Sequence, residues 1–131
     1  MLSDQEVIGI VRRHLESKFP RTCSRCGRWY DSLADYLLGT TYVGDPWSAD
    51  DPAATAHTAR LVGTISYANC RCGTTLTLSS AGLDQVTMGR LLHWAGASMA
   101  RRGLTMGALL SDLRRRIDEE VLCEHEAGVH P

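Results

Sequence analysis

The chain reads Thr22-Cys23-Ser24-Arg25-Cys26-Gly27 near its start and Asn69-Cys70-Arg71-Cys72-Gly73 near its middle. These two cysteine pairs are the most informative feature of the sequence. The spacing is Cys-x-x-Cys in the first and the tighter Cys-x-Cys in the second. Each stretch presents two thiols from one local turn, and two such turns supply the four soft ligands that a tetrahedral metal ion needs. We therefore predict that one metal ion, zinc, is bound by Cys23, Cys26, Cys70 and Cys72.

A glycine follows the second cysteine of each pair, at Gly27 and at Gly73. In a metal-binding knuckle the backbone curls so that amide N–H groups point at the thiolate sulfurs. The residue after the second cysteine then needs a positive φ, which glycine adopts without strain. Such N–H···S bonds spread the negative charge of a four-thiolate site. Three arginines beside the cysteines can offset that charge further, namely Arg25, Arg28 and Arg71.

The sequences Cys-Ser-Arg-Cys-Gly and Cys-Arg-Cys-Gly, the second on a predicted hairpin, resemble those of the zinc-ribbon and zinc-knuckle class over residues 22–78. They are also loosely similar to the cysteine-pair modules attached to bacterial sensor proteins. The 43 residues between Cys26 and Cys70 make a longer insertion than the simplest ribbons carry. The resemblance implies a structural zinc ion in a bacterial-type protein, and it implies no activity.

Other roles for these cysteines compete with a zinc site. An iron–sulfur cluster uses the same four thiolates, although the spacings here match neither ferredoxin pattern. Disulfides require an exported protein, and a bond between Cys70 and Cys72 would be strained. A thioredoxin-like pair needs a strand before Cys23, which the segment Phe19-Pro20-Arg21-Thr22 does not supply. Zinc is therefore the favoured interpretation, and an iron–sulfur cluster is the main alternative.

The composition is that of one ordinary globular domain. The chain has 131 residues, of which 44% are hydrophobic and 22% charged, and its net charge is −1. This balance gives no overall field that would attract nucleic acid or an anionic membrane. No segment approaches the run of about 18 apolar residues that spans a bilayer, and the start of the chain lacks the pattern of a signal peptide. We therefore expect a cytoplasmic protein without a membrane segment.

The first part of the chain has helical patterns. An amphipathic helix is predicted over residues 3–18, beginning with the capping-box pair Ser3 and Glu6. A short second helix is expected over residues 31–38. The apolar face of the first helix consists of Val7, Ile8, Ile10, Val11 and Leu15.

The segment that follows alternates loop and strand patterns. Residues 39–59 are rich in Gly, Pro and Asp, which predicts a loop. From residue 60 the pattern is that of a strand, which would place on one face Leu61, Ile65 and Tyr67. A second strand is predicted over residues 74–78, with one face formed by Leu76 and Leu78. The second cysteine pair therefore lies at the tip of a predicted hairpin.

The last third of the chain predicts a helical hairpin. Apolar residues recur at i, i+3, i+4, i+7 and i+11 from Met88, and again from Met106. Gly103 between the two runs suits a helix end with positive φ. Similar hexads open both runs and predict helix starts capped by Thr87 and Thr105. The second apolar stripe is long enough for a homodimer contact, although packing within its own domain is the simpler use.

The last nine residues, 123–131, predict a frayed polar tail. A second, weaker metal site is the alternative for this segment, formed by Cys123, His125 and His130. Ordering a terminus costs conformational entropy, so the tail is favoured. No catalytic cysteine–histidine pair is apparent, and unremarkable polar positions are expected for the other histidines, His14, His57 and His93.

Arginine clusters raise the hypothesis of nucleic-acid binding through residues 86–120. These clusters are Arg12-Arg13, Arg101-Arg102 and Arg114-Arg115-Arg116. Acidic residues flank the last cluster, however, and a recognition helix needs exposed polar residues near its N-terminal end. The sequence at that end is Thr-Met-Gly-Ala-Leu-Leu. The clusters are therefore interpreted as solvated helix faces.

We expect a protein that is not an enzyme, because no phosphate-binding loop, nucleophile elbow or His-Glu-x-x-His pattern occurs. The expected function is that of a small zinc-binding regulatory or adaptor protein that contacts a protein partner. The alternatives are a nucleic-acid-binding transcriptional regulator and a redox or metal sensor. The fold class is α+β in a single domain, residues 1–131, divided into an N-terminal helix (1–20), a zinc-stapled β-hairpin module (21–80), a helical hairpin (81–122) and a tail (123–131).

Overall fold

A computed structural model describes residues 1–44 and 64–129, and these residues form the α+β fold that the sequence predicts. The described helices are α1 (Asp4–Glu16), α2 (Leu33–Gly39), α3 (Gln85–Arg102) and α4 (Met106–Val129). The described strands are β1 (Arg21–Thr22), β2 (Trp29–Tyr30), β3 (Thr41–Gly44), β4 (Thr64–Asn69) and β5 (Thr75–Ser79). None of these helices is both long enough and apolar enough to cross a membrane.

Helix α1 begins at the predicted capping box. The Ser3 hydroxyl accepts a hydrogen bond from the Glu6 backbone N–H at 3.1 Å, and the Glu6 carboxylate accepts one from the Ser3 N–H at 3.0 Å. Both contacts satisfy backbone groups that the helix itself leaves unpaired. The helix ends at Glu16, two residues before the predicted end, and buries Val7, Ile8, Val11 and Leu15.

Strands form two small antiparallel sheets. One is the hairpin of β1 and β2, and the other has the order β3-β4-β5. The loop predicted over residues 39–59 is wrong at residues 41–44, which form the edge strand β3 against β4. Cross-strand hydrogen bonds there outweigh the local turn preference of the glycine-rich sequence. The remainder of that predicted loop, residues 45–59, lies outside the described residues.

The core-facing side of β4 differs from the prediction. Ser66 and Ala68 are buried, whereas Tyr67 is only half-buried. Helix α4 contacts this strand, and small side chains let a helix approach a sheet closely. Tyr67, on the predicted face that also contains Leu61, is therefore not among the buried side chains of β4, and Leu61 lies outside the described residues. On β5 the prediction is confirmed, because the buried residues are Leu76 and Leu78.

Helices α3 and α4 form the predicted helical hairpin. They are joined at Gly103, which has the left-handed backbone conformation with φ of 66°. The Thr105 hydroxyl accepts from the Ala108 N–H at 3.1 Å, as predicted for a helix cap. Thr87 is not the cap of α3, because the Asp84 carboxylate takes that place and accepts from the Thr87 N–H at 2.7 Å. The positive end of the helix dipole also stabilises a carboxylate at this position.

Helix α4 is the central element of the core, since it contacts α1, α2, α3 and β4. Its apolar stripe is buried within the chain, and consists of Met106, Leu109, Leu113, Ile117 and Val121. Packing inside the domain is thus the observed use of this stripe.

The C-terminal residues differ from the predicted frayed tail, because α4 continues through residue 123 as far as Val129. Arg12 on α1 forms ion pairs with Glu120 and Glu124 on this part of α4. Only 15% of the Arg12 side chain is exposed, so these pairs are partly shielded from water. Glu124 thus gives the end of α4 a contact with α1 that the sequence alone does not predict.

Candidate metal centre

The first knuckle, residues 23–28, lies at the tip of the β1–β2 hairpin. The Cys23 N–H donates to the Arg28 carbonyl and the Gly27 N–H donates to the Cys23 carbonyl, both at 2.9 Å. Gly27 has a φ of 77°, as predicted from its position after the second cysteine. The Arg28 backbone N–H points at the Cys26 sulfur. This turn therefore presents both sulfurs on one side.

The second knuckle, residues 70–74, lies at the tip of the β4–β5 hairpin, as predicted. The Cys70 N–H donates to the Thr74 carbonyl and the Gly73 N–H to the Cys70 carbonyl, both at 2.9 Å. Gly73 has a φ of 90°. The N–H groups of Cys72 and Thr74 bond to the sulfurs of Cys70 and Cys72, respectively. The predicted N–H···S bonds are thus present in both knuckles.

The structure brings the four predicted cysteines together where the two hairpin tips meet. Their sulfur atoms all lie within 4.8 Å of one another. The Sγ atoms of Cys23 and Cys72 are 3.8 Å apart, and those of Cys26 and Cys70 are 3.6 Å apart. Four thiolates arranged as a tetrahedron around one ion, at metal–sulfur distances of about 2.3 Å, would be about 3.8 Å apart. The four cysteines are therefore positioned to hold one metal ion.

Burial divides the four cysteines into two kinds. Cys23 and Cys70 belong to the hydrophobic core, with 1% and 3% of their surface exposed, whereas Cys26 and Cys72 are exposed. Each knuckle thus contributes one buried and one exposed sulfur. The site lies at the rim of the core, closed on one side by the fold and open to solvent on the other.

A buried tyrosine completes the inner side of the site. The Tyr30 hydroxyl donates a hydrogen bond to the Cys70 sulfur at 2.9 Å, and the Arg28 guanidinium lies over the Tyr30 ring at 5.0 Å from its centre. This hydroxyl, followed by the Cys72 backbone N–H, lowers the pKa of Cys70 to about 6. Burial, together with the bond to Cys70, raises the pKa of Tyr30 to about 12. Tyr30 therefore stays protonated and favours the Cys70 thiolate.

The two exposed cysteines are affected in opposite directions. The Thr74 hydroxyl lies 3.1 Å from the Cys72 sulfur and, with the Thr74 N–H, lowers the pKa of Cys72. The Arg28 N–H lowers the pKa of Cys26, but the hydrogen bond to Cys70, burial and the bonds to the other cysteines raise it to about 11. Four adjacent thiols cannot all ionise without a compensating charge. A cation bound at this site would supply that charge and would favour deprotonation of the thiols.

Replacing Tyr30 by phenylalanine is expected to weaken metal binding about 10–100-fold, because the Cys70 sulfur loses its buried donor. Tyr36→Phe is the matched control. Tyr36 is also buried and packs against Tyr30 with ring centres 5.5 Å apart, but its hydroxyl has no hydrogen-bond partner among the described residues. Tyr36→Phe should leave the affinity unchanged. Competition with a chromophoric chelator measures the metal affinity of both variants. Equal losses of affinity in Tyr30→Phe and Tyr36→Phe would contradict the assigned role of Tyr30.

The remaining candidate ligands lie elsewhere. Cys123 and His125 are exposed on α4, outside the cysteine cluster, and His130 lies outside the described residues. The His14 ring nitrogen Nε2 is 2.8 Å from the Ala81 carbonyl, and His93 is exposed. Within the described residues, the four-cysteine cluster is the single group of this kind. His57, for which a polar position is predicted, also lies outside the described residues.

The arginine clusters are engaged in ion pairs with acidic side chains. Asp112 contacts Arg102, Arg115 and Arg116 at 3.1, 2.7 and 3.1 Å. The other pairs join Arg12 to Glu16, Glu120 and Glu124, Arg101 and Arg116 to Asp4, Arg114 to Asp118, and Arg115 to Glu119. Most of the positive charge that raised the nucleic-acid hypothesis is therefore balanced locally.

Comparisons of the chain with protein-family models, with curated proteins and with solved structures gave no match. The geometry itself defines the class of site, which is a four-cysteine centre formed by two knuckles at the edge of an α+β domain. Assignment of a function therefore depends on the chemistry of this centre and on the surface around it.

Proposed function

We propose that the chain is a small zinc-binding regulatory or adaptor protein, in which a structural zinc ion holds the two hairpins together and contacts with a protein partner perform the function. The observation that carries this proposal is the convergence of four sulfurs within 4.8 Å from two knuckles. A zinc–thiolate site needs reduced cysteines, so the proposal includes a reducing compartment such as the cytoplasm.

The sulfur separations favour zinc over an iron–sulfur cluster. The distances of 3.6 and 3.8 Å between sulfurs of opposite knuckles fit thiolates that share one tetrahedral ion. A cluster contains several iron and sulfide atoms, so its ligands from opposite sides would be further apart than they are here. The single-ion arrangement requires no movement of either hairpin.

A structural role follows from the ligand set. Four thiolates occupy every position of a tetrahedral zinc ion and leave none for water or substrate. The ion would join the β1–β2 hairpin to the β3-β4-β5 sheet, and both hairpins bring a buried cysteine into the core. The proposed role of the metal is therefore to stabilise a surface rather than to carry out a reaction.

The described surface favours a protein partner over nucleic acid. Large apolar side chains are exposed, namely Met1, Trp29, Leu38, Tyr42, Val43 and Val86. Of these, Met1 and Val86 line one cavity together, and adjoining exposed apolar side chains are typical of protein contact sites. Binding to phosphates needs unpaired cations instead, and most arginines of the three clusters are in ion pairs. The sensor alternative draws its support from the exposure of Cys26 and Cys72.

Metal analysis tests this proposal directly. Protein purified from cells supplied with zinc and iron is expected to be colourless and to contain one zinc ion per chain. The variant Cys123→Ser should keep that content, since Cys123 lies outside the cluster, whereas Cys70→Ser should lose it. A brown protein containing iron and sulfide would show an iron–sulfur centre. Natively folded protein that contains no metal would overturn the proposal.

A further inference from the structure

A groove runs between α1 and the first half of α3. It comprises two adjoining cavities of about 520 and 390 Å³, which share Leu2 and Arg90 in their linings. Its apolar lining consists of Met1, Leu2, Ile10, Leu83 and Val86. Met1 and Val86 are 80% and 76% exposed, the highest values among the large apolar side chains whose burial the structure describes. The groove therefore presents exposed apolar side chains from the segment before α1 and from the first turn of α3.

Glycines on both helices keep the groove open. Gly9 of α1 and Gly89 of α3 line it. A Cβ added at Gly89 would meet no atom within 4 Å, and one added at Gly9 would come no closer than 3.8 Å to Arg13. Without side chains at these positions, the backbone of a bound segment can approach the helices closely.

Two cations border the apolar lining. Arg13 and Arg90 are exposed, and neither forms an ion pair with any residue of the described part of the chain, unlike the arginines held by Asp4 and Asp112. Glu6 also lines the groove, but its carboxylate accepts from the Ser3 backbone N–H as part of the helix cap. Glu6 offsets part of the charge of Arg90, but Arg13 and the chain's N-terminal ammonium leave the groove with a positive balance. A groove of mixed lining with a positive balance is complementary to a surface that combines apolar and negatively charged side chains.

We propose that this groove binds an acidic amphipathic helix of a partner protein. Apolar side chains at i, i+3, i+4 and i+7 of that helix would pack on Met1, Ile10 and Val86, and acidic side chains beside them would pair with Arg13 and Arg90. A groove between two helices accepts a third helix by this mode of recognition. The inference rests on the proposed adaptor function and specifies the class of its partner.

A pair of designed peptides tests the charge preference. The probe is a labelled peptide of about 15 residues with leucines at i, i+3, i+4 and i+7 and glutamates beside them, and its counterpart carries lysines instead. Fluorescence anisotropy should show that the metal-loaded full chain binds the glutamate peptide. In the double variant Arg13→Glu/Arg90→Glu, the Kd for this peptide should rise at least about tenfold, and the lysine peptide should bind more tightly. The inference would be overturned if the glutamate peptide did not bind the parent chain, or if it bound the parent chain and the double variant with equal affinity.

Two glycine variants of α3 test the location. Gly89→Phe fills the groove and should abolish binding of the glutamate peptide. Gly96→Phe is the matched control, because Gly96 lies about two turns further along the same helix and also has no atom within 4 Å of an added Cβ. Gly96→Phe should bind the peptide as the parent does. Equal effects of the two variants would rule out this groove as the binding site.

Metal content and mass in solution separate the remaining outcomes. If the chain keeps one zinc ion but does not bind the peptide, the docking inference fails and the proposed zinc site stands. If the chain contains no zinc, the proposed function fails first. A parent protein that is dimeric in sedimentation, and that becomes monomeric with Gly89→Phe, would mean that a second copy occupies the groove, which would also overturn the inference.

Discussion

Removal of the metal with a chelator is expected to unfold the part of the chain that carries the two knuckles. In such a site the free energy of metal binding contributes directly to folding, at about 10–16 kcal/mol in isolated zinc fingers. This is comparable with the total stability of a domain, about 5–15 kcal/mol. Cys23 and Cys70 lie in the core, so loss of the ion would also remove a cross-link between core positions of the two hairpins.

Thermal melting and amide hydrogen exchange measure this effect. The melting temperature should fall by more than about 15 °C. Exchange should accelerate first in β1, β2, β4 and β5, while the contact between α3 and α4 retains part of its protection. Cys70→Ser should reproduce the effect of the chelator, and Cys123→Ser, at an exposed position on α4, should not. A metal-free protein with unchanged melting and exchange would contradict a structural role for the ion.

Leu109→Ala is expected to have the second largest effect, a loss of about 2–5 kcal/mol in the free energy of unfolding. Leu109 is 1% exposed on α4, the helix that contacts three other helices and β4. Truncation there removes buried methyl groups and leaves a cavity that the surrounding helices cannot readily fill. The large effect follows from this position at the centre of the core.

The neighbouring leucine provides a matched control. Leu110 is only half-buried at the edge of the core, so Leu110→Ala should cost about 1 kcal/mol. Urea titrations of the metal-loaded variants give both values, provided that the dependence on denaturant stays the same. Equal losses for the two leucines, or a larger loss at Leu110, would mean that α4 presents a different face to the core.

The features that the sequence predicts correctly depend on local signals. The cap at Ser3, the positive φ of Gly27 and Gly73, and the helical hairpin turning at Gly103 each follow from residues within a few positions of one another. The convergence of the four cysteines is a long-range feature that the sequence also predicts. Two closely spaced cysteine pairs together supply the four ligands that one tetrahedral ion needs.

The features that the sequence does not predict depend on contacts between distant segments. Strands β1 and β2 have two residues each, which is too short for an alternating pattern. The core face of β4 is formed by Ser66 and Ala68 because α4 packs there, although Tyr67 is the more apolar candidate. The hydrogen bond from Tyr30 to Cys70 joins residues 40 positions apart. An aromatic residue in β2 does not by itself indicate where its hydroxyl points.

The two knuckles lie far apart in the sequence, and this separation affects how well the fold tolerates changes in the length of the segment between them. An ion bound by both knuckles is a cross-link that closes a loop of 43 residues between Cys26 and Cys70. A cross-link that closes a loop of this size lowers the chain entropy of the unfolded state, and this raises the free energy of that state by about 4 kcal/mol. The estimate depends only logarithmically on loop length, so doubling the length would change it by about 0.6 kcal/mol. Lengthening or shortening this connection is therefore expected to change the stability of the fold only slightly as long as both knuckles stay intact.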